Sequence, residues 1–162
     1  MIKLFHGSNV EIDKIRLDHC RPGKDFGKGF YLNPNYQQAY KMAVKTTRIS
    51  RSGVETVTTF EFDESMLNNQ NINVKVFSDY SEEWAQFIVE NRGNLSDSPI
   101  HDFDIVVGPI ADDTVGLQLA RFLEGYIPLP VLVQELRYSG DRAVQYFFGT
   151  EKAIKFLKKV LC

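Results

Sequence analysis

One stretch, residues 25–43, constrains the fold of this chain more than any other, and it reads DFGKGFYLNPNYQQAYKMA. Its two glycines flank a lysine and predict a turn that another backbone or a ligand can approach closely. The aromatic run after them, residues 30–32, predicts a short strand. We expect Asn33 to cap the helix that follows, with Pro34 at the first helical position. The stretch therefore predicts a turn, a strand and a helix in immediate succession.

The predicted helix carries aromatic and small residues on one face. The residues that share this face at helical spacing are Tyr36, Ala39, Tyr40 and Ala43. A polar turn, an aromatic strand and an aromatic helix face that meet at one junction suit a pocket for a flat ligand. The alternative is that these tyrosines and Phe30 pack in the core, as aromatic stripes usually do. The pattern leaves both interpretations open.

Composition narrows the functional classes. A chain of 162 residues with 43% apolar and 25% charged residues predicts one globular domain over residues 1–162. The net charge of −2 gives no electrostatic footprint for nucleic acid or an anionic membrane. The N-terminus turns polar too early for a signal peptide, and no apolar run reaches membrane-spanning length. We therefore expect a soluble, cytoplasmic protein with no membrane partner.

Familiar metal and catalytic motifs are absent from the sequence. Cys20 and Cys162 form no CxxC pair, and His6, His19 and His101 are scattered rather than arranged as HExxH. The chain also lacks a Walker loop and a GxSxG elbow. We expect no metal cofactor and two reduced thiols.

Hydrophobic periodicity predicts a mixture of strands and helices along the rest of the chain. Strands are expected at residues 2–5, 54–62, 72–76, 103–107 and 143–148. Helices are expected at 34–47, 79–91, 114–122, 128–136 and 151–161, with Thr114 and Thr150 as caps and a turn at 139–141. Because the elements are mixed without strict βαβ alternation, the predicted fold class is α+β.

Three groups of residues in chain order carry a resemblance to a known family. They are FHGS at 5–8, FGKGFY at 26–31 followed by Ala39 and Tyr40, and QYFF at 145–148 followed by an amphipathic segment. Together they resemble the diphtheria-toxin and poly(ADP-ribose) polymerase branch of the ADP-ribosyltransferase superfamily, which has a His, Tyr, Glu signature. FHGS is similar to the branch's histidine-glycine motif. FGKGFY is similar to its glycine-rich turn and first tyrosine, and Tyr40 to its second tyrosine, at a shorter spacing.

The resemblance implies an ADP-ribosyltransferase-like split β-sheet core that binds NAD+ between two sheets and cleaves its nicotinamide–ribose bond. It implies that His6 bonds a ribose hydroxyl and that the Gly7 backbone holds the nicotinamide carboxamide. Tyr31 and Tyr40 would sandwich the nicotinamide ring. The residues carried over as NAD+-binding are His6, Gly7, Ser8, Gly29, Tyr31 and Tyr40. Small uncharacterised bacterial proteins that we group with this superfamily are also similar.

The third signature position departs from the family. The family's glutamate stabilises the oxocarbenium-like ribose, and the matching residue here is Gln145, which we expect to be catalytic together with Tyr31 and His6. Glutamine keeps a hydrogen bond but loses the charge, and one lost electrostatic element typically costs about 10²–10³ in rate. The acids that could substitute are Asp141, Glu151 and Glu83. A serine of the family helix is replaced by Gln37 or Gln38.

Three functional hypotheses follow. The first is NAD+-dependent transfer of ADP-ribose to a macromolecule, as in a bacterial toxin or defence component. The second is a degenerate member that binds NAD+ without turnover, and the third is a protein-interaction module with an antitoxin or operon partner. Gln145 favours the second and third, whereas His6, Gly7 and the tyrosines favour the first. Without the family resemblance, His6 is a hydrogen-bonded histidine at a strand end and Gln145 an exposed strand residue.

Overall fold

The computed structural model describes residues 1–111, 113–138 and 143–161, which form seven strands and five helices in mixed order. The strands are β1 Ile2–Ser8, β2 Phe30–Leu32, β3 Thr56–Phe62, β4 Val74–Val76, β5 Ile105–Pro109, β6 Val144–Phe148 and β7 Leu157–Lys159. The helices are α1 Tyr36–Ser50, α2 Glu82–Gly93, α3 Asp113–Leu123, α4 Leu129–Tyr138 and α5 Glu151–Ile154. Short 3-10 turns lie at Leu17–His19 and Glu64–Asn68. The fold class is α+β.

Two sheets organise these elements. One has three antiparallel strands in the order β1-β3-β7, and the other has four strands in the order β2-β6-β5-β4. In the four-stranded sheet β4 and β5 are parallel, while β6 is antiparallel to both β2 and β5. The sheets are joined where Phe5 of β1 and Asn33, just after β2, exchange backbone hydrogen bonds of 2.8 and 2.9 Å. This bridge brings β1 beside β2.

Two buried clusters form the core, and β6 contributes to both. Phe147 faces a cluster with Phe26, Trp84 and the apolar faces of α2, α3 and α4. The residues beside it in β6, Tyr146 and Phe148, face the second cluster, which includes β1 and β3. Side chains of successive strand residues point to opposite faces, so β6 is covered on both. Burial of each large apolar side chain contributes about 1.5–3 kcal/mol to folding.

The beginning of the chain differs from the sequence prediction. The sequence predicts a strand that ends at residue 5, whereas β1 continues through Ser8 because His6, Gly7 and Ser8 pair with β3. His6 therefore lies within a strand rather than at its end. The strand predicted at residues 30–32 is confirmed.

The start of α1 is also corrected. Asn35, not Asn33, caps the helix, and its Oδ1 accepts a hydrogen bond of 2.9 Å from the Gln37 backbone N–H. Asn33 is buried and its backbone is used in the bridge to β1, so Pro34 precedes the cap. The helix ends at Ser50, slightly beyond the expected end.

Between residues 79 and 148 the structure confirms the predicted elements but moves several of their ends. β5 continues through Gly108 and Pro109, which pair with β6 instead of ending the strand. Thr114 lies inside α3 rather than before it. Thr150 caps α5 as predicted, since its side chain accepts a hydrogen bond from the Ala153 backbone N–H.

The predicted helix at 151–161 is wrong after its first turn. α5 ends at Ile154, a two-residue turn follows, and residues 157–159 form β7, which pairs with β3 through Leu157 and Phe62. This strand pairing over a long sequence separation overrides the helical spacing of the apolar residues. The predicted turn at 139–141 and Cys162 lie outside the described residues.

Candidate functional site

His6 lies where the two sheets meet. Its Nδ1 donates a hydrogen bond of 2.8 Å to the backbone oxygen of Tyr31, and its ring stacks on Phe30 with centroids 4.4 Å apart. A carbonyl can only accept, so Nδ1 carries the proton and the neutral ring keeps Nε2 as an acceptor. Burial, with a smaller contribution from Lys24, lowers the pKa of His6 against the raising effect of the Tyr31 carbonyl. The site therefore presents a neutral imidazole near pH 7.

Gly7, the next residue, allows α1 to lie directly on β1. A Cβ at this position would stand 1.8 Å from the Ala39 backbone oxygen and 2.8 Å from the Ala43 backbone nitrogen. Only glycine permits this approach. The backbone N–H and C=O groups of successive strand residues point to alternate sides of the strand. Those of Phe5 bond to Asn33, just after β2, so those of Gly7, two residues further on, point to the same side as well. Gly7 thus presents peptide groups at the sheet junction while its missing side chain makes room for the helix.

Tyr31 uses its ring and its hydroxyl in different ways. The ring packs edge-on against Phe147 with centroids 5.2 Å apart. The hydroxyl donates to the Gly27 backbone oxygen at 2.7 Å and accepts from the Phe26 backbone N–H at 2.9 Å. Burial raises the pKa of Tyr31 well above its ordinary value, so the phenol stays protonated. Because the hydroxyl holds the glycine-rich turn, the part of Tyr31 suited to a ligand is the ring.

Tyr40 is exposed, in contrast to the small residues that share its helix face. Ala39 and Ala43 are buried against β1, whereas Tyr40 is 44% exposed and Tyr36 is exposed as well. The interpretation that the helix tyrosines are core residues is therefore wrong, although it is confirmed for Phe30. An exposed phenol on a rigid helix offers a stacking surface for a flat ring.

Gln145 belongs to a polar cluster that sequence reasoning missed. Its Nε2 donates to Asp25 Oδ2 at 2.9 Å, and Asp25 Oδ1 accepts from Arg92 Nε at 2.7 Å. The Ala111 backbone N–H also donates to Asp25 Oδ2, at 3.3 Å. Gln145 is half-buried, so its interpretation as an exposed strand residue is wrong.

Asp25 and Arg92 carried only a weak signal in the sequence. Asp25 opens the stretch that organises the fold, but its partners Arg92 and Gln145 lie 67 and 120 residues further along the chain. The acids proposed to substitute for the family glutamate are placed elsewhere. Glu83 pairs with Lys75 at the surface, Glu151 lies exposed in the first turn of α5, and Asp141 is outside the described residues. Among the described residues, the carboxylate that contacts Gln145 is that of Asp25.

The two remaining predicted residues have local partners. A Cβ at Gly29 would stand 2.2 Å from the Phe147 ring and 2.8 Å from the Phe148 oxygen, so glycine is needed for packing against β6. Ser8 Oγ donates to Asn9 Oδ1 at 3.3 Å. Neither contact involves a charged group.

The structure brings some of the predicted residues together directly and others only through shared elements. His6 and Tyr31 are hydrogen-bonded, and Gly7 packs on the helical turn that carries Tyr40. Gln145 lies in β6, whose Phe147 pairs with Tyr31, and it bonds to a residue outside the predicted set. In the described part of the chain no cluster of three or more His, Cys, Asp or Glu side chains is placed to hold a metal ion. Nor does any helix there have the length and apolar character needed to cross a membrane.

The protein is thus an α+β protein in which a three-stranded and a four-stranded sheet meet beside His6 and Tyr31. Residues 2–159 match a family described as "Protein of unknown function (DUF3990)". Because the match spans nearly the whole chain, the protein belongs to the DUF3990 family. No curated protein and no solved structure matches the chain.

Proposed function

We propose that this protein has an ADP-ribosyltransferase-like split-sheet fold, binds NAD+ at the junction of its two sheets, and transfers ADP-ribose to a macromolecule. The observation that carries the proposal is the 2.8 Å hydrogen bond from His6 to the Tyr31 backbone. It joins the first two signature residues, which lie 25 positions apart in the sequence, at the point where β1 passes β2.

The chemistry of the surrounding groups fits the parts of NAD+. Nε2 of the neutral His6 ring can accept a hydrogen bond from a ribose hydroxyl. The Gly7 peptide groups can pair with the carboxamide of nicotinamide, which both donates and accepts. The Tyr31 ring and the exposed Tyr40 ring supply apolar surfaces for the nicotinamide, and each aromatic contact adds about 0.5–1.5 kcal/mol beyond area burial.

In the proposed reaction the bond between ribose C1′ and the nicotinamide nitrogen breaks, and its electron pair leaves with nicotinamide. The cationic charge that develops on the ribose is stabilised by electron-rich groups held in place beforehand. The Gln145 amide oxygen supplies a partial negative charge next to this ribose. A nucleophile of the acceptor then bonds to C1′ and gives its proton to solvent, or water does so and the reaction is hydrolysis.

Binding of NAD+ without turnover is the second candidate, and the Gln145 contacts favour it. The side chain is neutral, and the carboxylate next to it is paired with Arg92 at 2.7 Å. Within the residues that the structure describes, the site has no unpaired negative charge, so it provides less stabilisation for a ribosyl cation than the family's glutamate does.

Two measurements on the same samples test the proposal. Isothermal titration with NAD+ measures binding, and chromatography of the reaction mixture measures release of nicotinamide. We expect saturable binding and slow release by the wild type. Tyr40→Ala should weaken binding about tenfold, because it removes one stacking surface.

Tyr126→Ala is the matched control, since Tyr126 is 73% exposed and lies between α3 and α4, which pack on each other and on α2. It should bind NAD+ like the wild type. Binding without nicotinamide release, even with a supplied acceptor extract, would leave the second candidate standing. Equal NAD+ affinity of Tyr40→Ala, Tyr126→Ala and the wild type would refute the proposed site.

A further inference from the structure

The polar cluster around Asp25 joins four separate parts of the chain. Asp25 precedes the glycine-rich turn, Arg92 lies in the last turn of α2, Ala111 follows β5 and Gln145 is in β6. The Asp25 side chain is only 13% exposed and accepts hydrogen bonds from all three partners. The same Arg92 side chain donates from Nη2 to the Ala111 oxygen at 3.1 Å. Both carboxylate oxygens are therefore held in fixed directions.

These contacts determine which end of the Gln145 amide faces which way. A carboxylate can only accept a hydrogen bond, so the end of the amide next to Asp25 Oδ2 must be the Nε2 donor. The other end, Oε1, is directed away from Asp25. We propose that Asp25 is a positioning residue that holds Gln145 with its oxygen, rather than its nitrogen, toward the ribose of NAD+. This inference rests on the proposed function.

Replacement of the carboxylate by an amide should reverse this orientation. In Asp25→Asn we expect the single side-chain oxygen to face the charged Arg92 Nε, because that atom can only donate, and the Ala111 backbone N–H then loses its acceptor. The new side-chain nitrogen at residue 25 then faces Gln145, whose amide has to turn so that Oε1 accepts from this nitrogen. The donor Nε2 would now point toward the ribose and disfavour a developing positive charge. The hydrogen bond between residues 25 and 145 is kept, but residue 25 becomes the donor and residue 145 the acceptor.

The same geometry predicts the behaviour of Gln145→Glu. A glutamate at this position restores the family's residue, yet its carboxylate would lie against Asp25 Oδ2 at hydrogen-bond distance. Two like charges in contact are unfavourable. Combining Asp25→Asn with Gln145→Glu exchanges amide and carboxylate, restores one N–H to O bond and keeps the net charge. A carboxylate at 145 also has an oxygen for the ribose in either orientation.

The experiment compares the wild type with Asp25→Asn, Gln145→Glu and the double variant, by melting temperature and by nicotinamide release from NAD+. We expect each single substitution to lower the melting temperature and the double variant to recover the part of the loss that belongs to the contact with residue 145, while the Ala111 N–H stays without its acceptor. Asp25→Asn should lower kcat about hundredfold and leave KM within about threefold, since the misdirected group acts in the transition state. The double variant should release nicotinamide at least as fast as the wild type.

Asp97→Asn is the matched control, because Asp97 forms a surface ion pair with Lys28 at 2.8 Å and contributes little. It should resemble the wild type in both measurements. Additive melting-temperature losses in the double variant, or a wild-type kcat for Asp25→Asn, would overturn the positioning role while the proposed function stands. A wild type that neither binds NAD+ nor releases nicotinamide would overturn the proposed function, and the inference with it.

Discussion

Gly7→Ala is the substitution for which the structure gives the clearest magnitude. The new Cβ would stand 1.8 Å from the Ala39 oxygen, whereas ordinary contact begins at 3.4 Å, so α1 and β1 would have to separate by about 1.6 Å. The atoms on both sides belong to the backbone and cannot rotate away. Overpacking typically costs about 1–3 kcal/mol, and we expect a loss of about 3 kcal/mol in the free energy of unfolding. Separation would also expose Ala39 and Ala43, which are buried now.

Urea unfolding followed by fluorescence measures this loss, since Trp84 is the single tryptophan and is fully buried. Gly93→Ala is the matched control, because a Cβ at the end of α2 would meet nothing within 4 Å. It should be as stable as the wild type or more stable by up to about 1 kcal/mol. If Gly7→Ala unfolds within about 1 kcal/mol of the wild type, the close packing of α1 on β1 is refuted.

Three further substitutions test the site and the fold. Tyr31→Phe leaves the Gly27 oxygen and a neighbouring N–H without their partner, so urea unfolding should show a loss of about 1–3 kcal/mol; an unchanged midpoint would refute the role of the hydroxyl. Burial lowers the pKa of His6 below its ordinary value of 6.5, so the unfolded chain binds the proton more readily and stability should fall as the pH drops through 6.5. His6→Gln should flatten this part of the pH profile of unfolding, and a profile that keeps its full slope would contradict the assignment. Thr150→Ala removes both the cap of α5 and a hydrogen bond of 2.6 Å to Asp104, so calorimetry should show a loss of about 1–3 kcal/mol in the free energy of unfolding. An unchanged melting temperature would contradict this role of Thr150.

Local chemistry made part of the fold predictable. The aromatic run 30–32 forms a strand because β-branched and aromatic residues suit a half-buried pleated surface. Thr150 caps a helix because its side chain satisfies a free N–H in the first turn. In both cases the signal lies in the residue types themselves, which a sequence displays directly, although the strand finds its pairing partner in the distant β6.

Contacts between distant residues were not predictable in the same way. Ile154, Leu157 and Leu161 have helical spacing, yet residues 157–159 form a strand because β3 offers pairing partners nearly a hundred residues earlier. Asn33 has a side chain that can cap a helix, but its backbone is bridged to Phe5, and Asn35 caps α1 instead. In each case a tertiary hydrogen bond outweighs a local preference.

The candidate site likewise contains residues that the sequence predicts and contacts that only the fold creates. The sequence motifs pointed to His6, Tyr31 and Gln145, and the hydrogen bond between the first two depends on the sheet junction. Asp25 carries only a weak signal in the sequence, since its contact with Gln145 exists only after β6 is placed beside the glycine-rich turn. The orientation of the Gln145 amide is therefore information that the fold adds.

A crystal structure of the protein with NAD+ would test the central proposal most directly. We predict that the nicotinamide ring lies against the rings of Tyr31 and Tyr40, with a ribose hydroxyl within about 2.7–3.2 Å of His6 Nε2. Electron density for NAD+ on another surface, or none at a saturating concentration, would contradict it.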